Sequence, residues 1–311
     1  MNVRNSAWLR KVYRFGRGQG FSFSNLRNHS SALFSRAKLP VLVAGCTATG
    51  KKRSKNQDDF DYDRGLGLFV VCDGMGGAAS GDLASRLAVQ AALDTTRDRM
   101  KAYRTSAKQE QSTDFCLDRM RCTMVAAVDE ANRAVYERSQ SQDGLSGMGT
   151  TLVMLRIVAK TARLAHVGDS RGYLWRGGQL KRLTSDHSWI EEQIRLGQMS
   201  EEEARHAPYR NLITRALGPE PSIVADYTEF ALLPGDLLLL TSDGLTNELE
   251  DAEIAAMLAA QPCDRLAAQL DERAAQLTAE AKLKSLSAAL VEAANEHGGR
   301  DNITCLLVRI L

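Results

Sequence analysis

Four aspartates stand where apolar runs begin or end, and a fifth lies in a polar stretch. Asp73 closes the run Leu68–Cys72 and is followed by Gly-Met-Gly-Gly. Asp243 closes "LLLLTS" and is followed by Gly244. Asp169 sits in "HVGDSR", just past another apolar run, and Asp301 in "GGRDNIT", just before the last one. Asp58 lies in "KNQDDF". Carboxylates carried at strand ends can meet on one rim of a sheet. Brought together uncompensated they repel one another, and burying them is costly. A divalent cation resolves that conflict. Mg²⁺ or Mn²⁺ takes octahedral oxygen ligands and keeps several waters. The glycines fit this chemistry: Gly74 is expected to turn the backbone and offer its carbonyl to a metal, with Gly76 and Gly77 leaving open space above. A single strand-Asp-Gly often makes only a turn. Several in order, each at the edge of an apolar strand, point to a metal rim.

The elements that must carry these residues follow from periodicity. "VLVAGCT", "GLGLFVVCD", "TTLVMLRIV", "TARLAHVGD", "DLLLLTSDGL" and "NITCLLVRIL" read as strands. Gly177-Gly178 between two short runs predicts a hairpin over "RGYLWRGGQLKRL". Residues 81–100 have Leu83, Leu87 and Ala91 at helical spacing, and 115–138 have Met120, Met124, Val128, Ala131 and Val135. The segment "HSWIEEQIRLGQMSEEEARHA" and residues 251–296 also read as helical. Strands joined by short turns, with helices in two groups, favour antiparallel sheets covered by helix pairs over alternating βαβ units.

The bulk properties narrow the classes. The 311 residues are 44% hydrophobic and 25% charged, an ordinary globular composition. Residues 1–57 hold twelve Lys/Arg and no acid, so 58–311 carry 28 basic against 38 acidic residues. An acidic body behind a basic leader is not a nucleic-acid-binding profile. Residues 1–40 are expected to be a disordered, basic leader, with a transit peptide or a regulatory tail as the alternatives. The cysteines at 46, 72, 116, 122, 263 and 305 form no CxxC pair; they are expected to be reduced thiols, which points to the cytoplasm. No apolar run reaches the length of a membrane span.

The motifs together resemble the metal-dependent protein Ser/Thr phosphatases of the 2C type, in their bacterial form. The resemblance runs in order through "RSKNQD" (53–58), "VVCDGMGG" (70–77), "SGMGTT" (146–151), "HVGDSRGYL" (166–174), "LTSDHS" (183–188), "RNLITRALG" (210–218), "LLLLTSDGL" (237–245) and "GGRDNIT" (298–304). It implies an α+β fold, a four-layer α-β-β-α sandwich whose central antiparallel β-sandwich is flanked by helix pairs, with residues 41–311 as the catalytic domain. It also implies two Mn²⁺ or Mg²⁺ ions. Asp73 would bridge them, Asp243 and Asp301 would complete the first, and the Gly74 carbonyl and waters the second. Asp58 would orient water, Asp169 with Asp243 would hold a third, weaker ion, and Arg53 would grip the substrate phosphate. The implied reaction is hydrolysis of phosphoserine and phosphothreonine by a hydroxide between the two metals, on phosphoprotein substrates supplied by a Ser/Thr kinase. The implied oligomeric state is a monomer.

The residue types suit that reaction. No phosphoenzyme is needed, and none of the six cysteines lies in a Cys-x5-Arg loop. Arg53 has the planar fork that matches phosphate oxygens, although its run "KKRSK" also reads as a solvated basic stretch. Met75 stands where eukaryotic members carry a histidine, so that residue's role has no counterpart here. His187 reads as capping or packing a helix start, and His166 as a core histidine. Residues 189–210 correspond to the family's flap, with "HAPYRN" departing from its usual His-Pro order. The region 262–297 reads as extra helix, either surface decoration or a docking element. "GMGGAASG" mimics a dinucleotide fingerprint, but Asp73 beside its first glycine would repel a pyrophosphate. "DYD" at 61–63 has the acids of an aspartyl-phosphate enzyme but ends no apolar strand. A catalytically dead fold acting as a binding module would lack a metal aspartate, and none is missing.

Overall fold

Strand-forming character is greatest where both faces of a run are apolar. The computed structural model describes residues 41–311 apart from 77–79, 107–112, 142–144, 159, 201, 204–211 and 261–271; the leader 1–40 lies outside the described residues. In β3 (Leu68–Met75), Leu68, Val70 and Cys72 face one way and Phe69 and Val71 the other, and all five are fully buried. A strand covered on both sides reads as an unbroken apolar run. The same holds for β5 (Leu152–Val158), β10 (Leu237–Thr241) and β11 (Ile303–Ile310).

Two antiparallel sheets result. One runs β1 (Val41–Ala48), β11, β10, β7 (Arg171–Arg176), β8 (Gln179–Arg182). The other runs β2 (Asp58–Asp63), β3, β5, β6 (Thr161–Val167), β9 (Asp226–Ala231), with the short β4 (Gly149–Thr150) also paired to β3. The inner faces meet through Phe69, Val71, Leu155, Leu164, Leu238, Leu240 and Leu306. The outer face of the β3 sheet is covered by α1 (Gly81–Ser106) and α2 (Thr113–Gln140). The outer face of the β11 sheet is covered by α5 (Asp251–Ala259) and α6 (Glu272–Glu296). Two small helices, α3 (Trp189–Arg195) and α4 (Asp243–Thr246), lie in the connections. This is the expected α-β-β-α sandwich.

Several local expectations need correction. The strands β2 and β9 carry no clear apolar signal, because they are the two edges of their sheet and their sequences, "DDFDYD" and "DYTEFA", are acid-rich. Charge on an edge strand blocks pairing with another chain, and it also hides the strand from pattern reading. The buried stripe of α1 is Ala84, Ala88 and Ala92, one position beyond Leu83, Leu87 and Ala91, which pack only partly. Within "HSWIEEQIRLGQMSEEEARHA" the helical reading holds for α3 and for residues 202–203, while 201 and 204–207 lie outside the described residues. Ser188 caps α3 by accepting from the Glu191 N–H, and Gly197 (φ +69°) follows its C-terminal cap. "HAPYRN" and residues 262–271 lie outside the described residues, and the helical region expected at 251–296 is described as the separate α5 and α6. The Gly177-Gly178 hairpin is present, with Arg176 opposite Gln179.

Candidate metal centre

The two sheets bring all five aspartates to one rim. Asp58 opens β2 and sits directly across from Asp73 on β3. Asp169 lies two residues past β6, Asp243 two past β10 at the first position of α4, and Asp301 two before β11. The Asp73 and Asp243 carboxyls contact each other. Burial, and then the charges of Asp58, Asp243 and Asp169, hold the Asp73 carboxyl well above the usual carboxylate range. Burial likewise pushes Asp169 up to about 8, with Asp243 adding to it. Asp58 is pushed up to about 7 by burial, against the hydrogen bonds it accepts from Thr304 and Ser242. Asp243 is raised by burial as well.

The carboxylates are held by hydroxyls and backbone. Asp58 Oδ2 accepts from Ser242 Oγ and Thr304 Oγ1, both at 2.7 Å. The Asp73 backbone is fixed from both sides: its N–H donates to Thr151 Oγ1 at 2.9 Å, and its carbonyl accepts from Thr150 Oγ1 and from Thr151 N–H at 2.8 Å. Asn302 ties the strand that bears Asp301 to the loop that bears Arg53. Its amide donates to the Thr49 and Lys55 carbonyls, and its Oδ1 accepts from Gln57 N–H. Sequence reading missed Ser242, Thr304, Thr150, Thr151 and Asn302 as supports, although each lies inside a motif. For Ser242, Asn302 and Thr304 the available signal was a hydroxyl or amide within three residues of a motif aspartate; Thr150 and Thr151 have no aspartate in their motif.

The glycines act differently from the expectation. Gly74 lies inside β3 and makes no turn. A Cβ there would stand 1.9 Å from the Gly81 carbonyl oxygen, so Gly74 is needed for close approach of α1. The chain leaves the strand at Gly76 (φ +149°), where a Cβ would meet Ser80 Oγ at 2.4 Å, so the space there is filled. Gly77 lies outside the described residues. At Gly244 a Cβ would stand 1.9 Å from the Asn302 carbonyl oxygen, which lets α4 start against β11.

Arg53 belongs to the rim rather than to a free basic run. Its guanidinium donates to Asp301 Oδ2 at 2.7 Å, and it also feels the charges of Asp73 and Asp243. Half of its side chain stays exposed, so the guanidinium borders solvent at the edge of the rim.

Within this cluster, Asp58, Asp169 and Asp243 each keep a buried Oδ1 with no hydrogen-bond partner. Buried carboxylate oxygens without donors, several to a rim, fit hard divalent cations. His187 sits nearby but serves the scaffold. Its Nδ1 accepts from Gly168 N–H at 3.1 Å, and its ring stacks on His166 with centroids 4.5 Å apart. Its Nε2 stands 3.3 Å from Asp226 Oδ2. His166, His187 and Asp226 thus gather three ligand atoms, yet Asp226 already pairs with Arg215 at 3.0 Å and His187 Nδ1 is taken.

A family model described as "Protein phosphatase 2C" matches residues 47–292. The serine/threonine phosphatase stp of Listeria monocytogenes is 33% identical, over 84% of this chain and 93% of its own. The protein phosphatase PhpP of Streptococcus pneumoniae is 34% identical, over 84% and 94%. Among solved structures, the S. agalactiae serine/threonine phosphatase superimposes with a TM-score of 0.70 at 34% identity, covering 87% of this chain and all of that one. The catalytic domain of PstP, in complex with two manganese ions, does so with a TM-score of 0.67 at 28% identity, over 87% and 98%.

Proposed function

Because the chain belongs to the protein phosphatase 2C family, we propose that its carboxylate rim is the dinuclear centre of a phosphoprotein phosphatase and that Arg53 binds the phosphate. The chain is a metal-dependent protein serine/threonine phosphatase. The observation that carries the site assignment is the group of buried, unpartnered carboxylate oxygens at one rim beside Arg53.

Asp73, Asp243, Asp301 and the Gly74 carbonyl would hold two Mn²⁺ or Mg²⁺ ions, with Asp169 and Asp243 holding a weaker third. When bound, the two ions supply charge stabilisation and a water acidified for in-line attack on phosphorus. Asp58, locked through Oδ2 by two hydroxyls, has Oδ1 free to accept a proton from water. Arg53 neutralises phosphoryl oxygens with parallel N–H donors. Met75 has no proton to give, so water or the substrate itself supplies the proton to the departing serine or threonine oxygen. A Ser/Thr protein kinase is the partner that this chemistry reverses. The four described cysteines are free thiols, which supports a reducing compartment such as the cytoplasm. No described helix is long and apolar enough to cross a membrane.

The test is hydrolysis of p-nitrophenyl phosphate by EDTA-treated protein. Activity is expected only after Mn²⁺ or Mg²⁺ is restored; equal activity in EDTA would sink the assignment. A second expectation concerns Arg53→Ala at saturating metal. A lost charge-assisted contact to phosphate is worth about 1.5–3 kcal/mol, or roughly 10- to 100-fold in kcat/KM. The loss should fall mainly on KM. An unchanged KM would return Arg53 to the solvated basic run.

A further inference from the structure

The outer face of the β3 sheet carries a second charged feature, away from the rim. Arg156 on β5 lies directly opposite Arg163 on β6, and Arg163 lies opposite Glu229 on β9. All three point to the α1–α2 layer, the side shared by Met154, Ala165 and Tyr227. Arg156 is 1% exposed and Arg163 4%. Like charges placed directly opposite each other on a sheet are destabilising.

Glu229 does not balance the row. It accepts from Arg163 Nε at 2.7 Å and is approached by Arg121 at 3.8 Å. Arg156 makes no hydrogen bond or ion pair among the described residues, and its Nε and Nη1 are buried without a partner. Arg163 Nη2 is in the same condition. The nearby end of the layer is closed by Met100, Met120 and Val158, with Tyr103 packed on them. A buried guanidinium with no acceptor is rare, because the charge has left water and gained nothing in exchange.

We infer that Arg156 and Arg163 form a site for a small tetrahedral oxoanion beneath the α1–α2 helix pair, separate from the catalytic rim. Two arginines in register on neighbouring strands bring unpartnered guanidinium donors to one face, and guanidinium N–H groups suit phosphate or sulfate oxygens. The donors are shut off from solvent, so the occupant is a free ion rather than a group attached to a macromolecule. Leu68 pairs with Arg156 and lies five residues before Asp73, which puts the site roughly 17 Å from the rim at about 3.4 Å per residue. The anion would pin the helix pair to the sheet.

Thermal unfolding of the metal-free full chain tests this. Sodium sulfate is compared with the bulky sulfonate MES at matched ionic strength, for the unaltered protein, Arg156→Met and Arg163→Gln. An anion bound only by the folded state raises Tm. The unaltered protein should gain about 5 °C more from sulfate than either variant. In MES alone, Arg156→Met should be the more stable protein, because an apolar side chain needs no anion. Sulfate held at the catalytic rim, or acting generally as a salt, would stabilise all three alike. An equal response in all three therefore overturns the proposal. If Arg156→Met does not fold, the comparison with Arg163→Gln decides alone.

Discussion

Asp73→Asn should abolish phosphatase turnover, by about 10³-fold or more, while the fold survives and the metal-free protein becomes more stable. The substitution changes no volume and removes one charge. At 1.36 kcal/mol per decade, 10³-fold corresponds to about 4 kcal/mol of lost transition-state stabilisation. Asp73 sits at the centre of the cluster, where its carboxyl contacts Asp243 and feels Asp58 and Asp169. A neutral amide there cannot bridge two cations. Its NH₂ does find an acceptor, since the Asp243 carboxyl is adjacent. Its backbone contacts to Thr150 and Thr151 do not involve the side chain and should persist. Without metal, removal of one member of a self-repelling cluster relieves strain, so Tm in EDTA should rise. Kinetics with p-nitrophenyl phosphate, Mn²⁺ titration by calorimetry and thermal unfolding in EDTA check the three parts. Retained turnover would remove Asp73 from the metal centre. Lost turnover with a lowered Tm would mean that the variant is misfolded and that Asp243→Asn must be tried in its place.

The sequence was most informative where chemistry and packing coincide. Asp73, Asp243 and Asp301 each stand within two residues of a largely apolar run, and Asp169 follows the more mixed "TARLAHV", because a central strand buried on both faces has to end near the carboxylate that it delivers. What could not be read was what depends on distant partners. The need for Gly74 comes from α1 pressing against β3, a contact between separate elements, whereas an Asp-Gly pair by itself suggests only a turn. The grip on Asp58 comes from Ser242 and Thr304, 184 and 246 residues away. The edge strands β2 and β9 were hidden by their own acids. Arg156 falls in the apolar run "LVMLRIV", where one arginine looks like an interruption; only the register shows it facing Arg163.

The same cluster fixes an unusual dependence of stability on pH. For a carboxyl whose folded-state pKa is raised, the stabilising contribution is complete below its unfolded value, near 3.8, and is lost as pH rises through the folded value. Asp58 passes through about 7 and Asp169 through about 8, and the Asp73 carboxyl is also held well above its ordinary value. The metal-free protein should therefore lose stability between about pH 6.5 and 8.5, by about 3 kcal/mol from Asp58 and Asp169 together. The window matters. Below about 6.5 the buried, neutral His166 and His187 act in the opposite sense, because both resist protonation through burial. Above about 9 the buried thiols of Cys72 and Cys305 begin to contribute. Within the window the carboxylates decide. Saturating Mn²⁺ should remove the slope, since cations then stand where protons stood and the folded state has no extra protons to give up. Urea unfolding at pH 6.5, 7.5 and 8.5, in EDTA and in Mn²⁺, reads both curves. A flat curve in EDTA would mean that the five carboxyls are not packed closely enough to need a cation, and the dinuclear assignment would fall with it. A falling curve in EDTA that Mn²⁺ flattens would tie the buried aspartates directly to the metal.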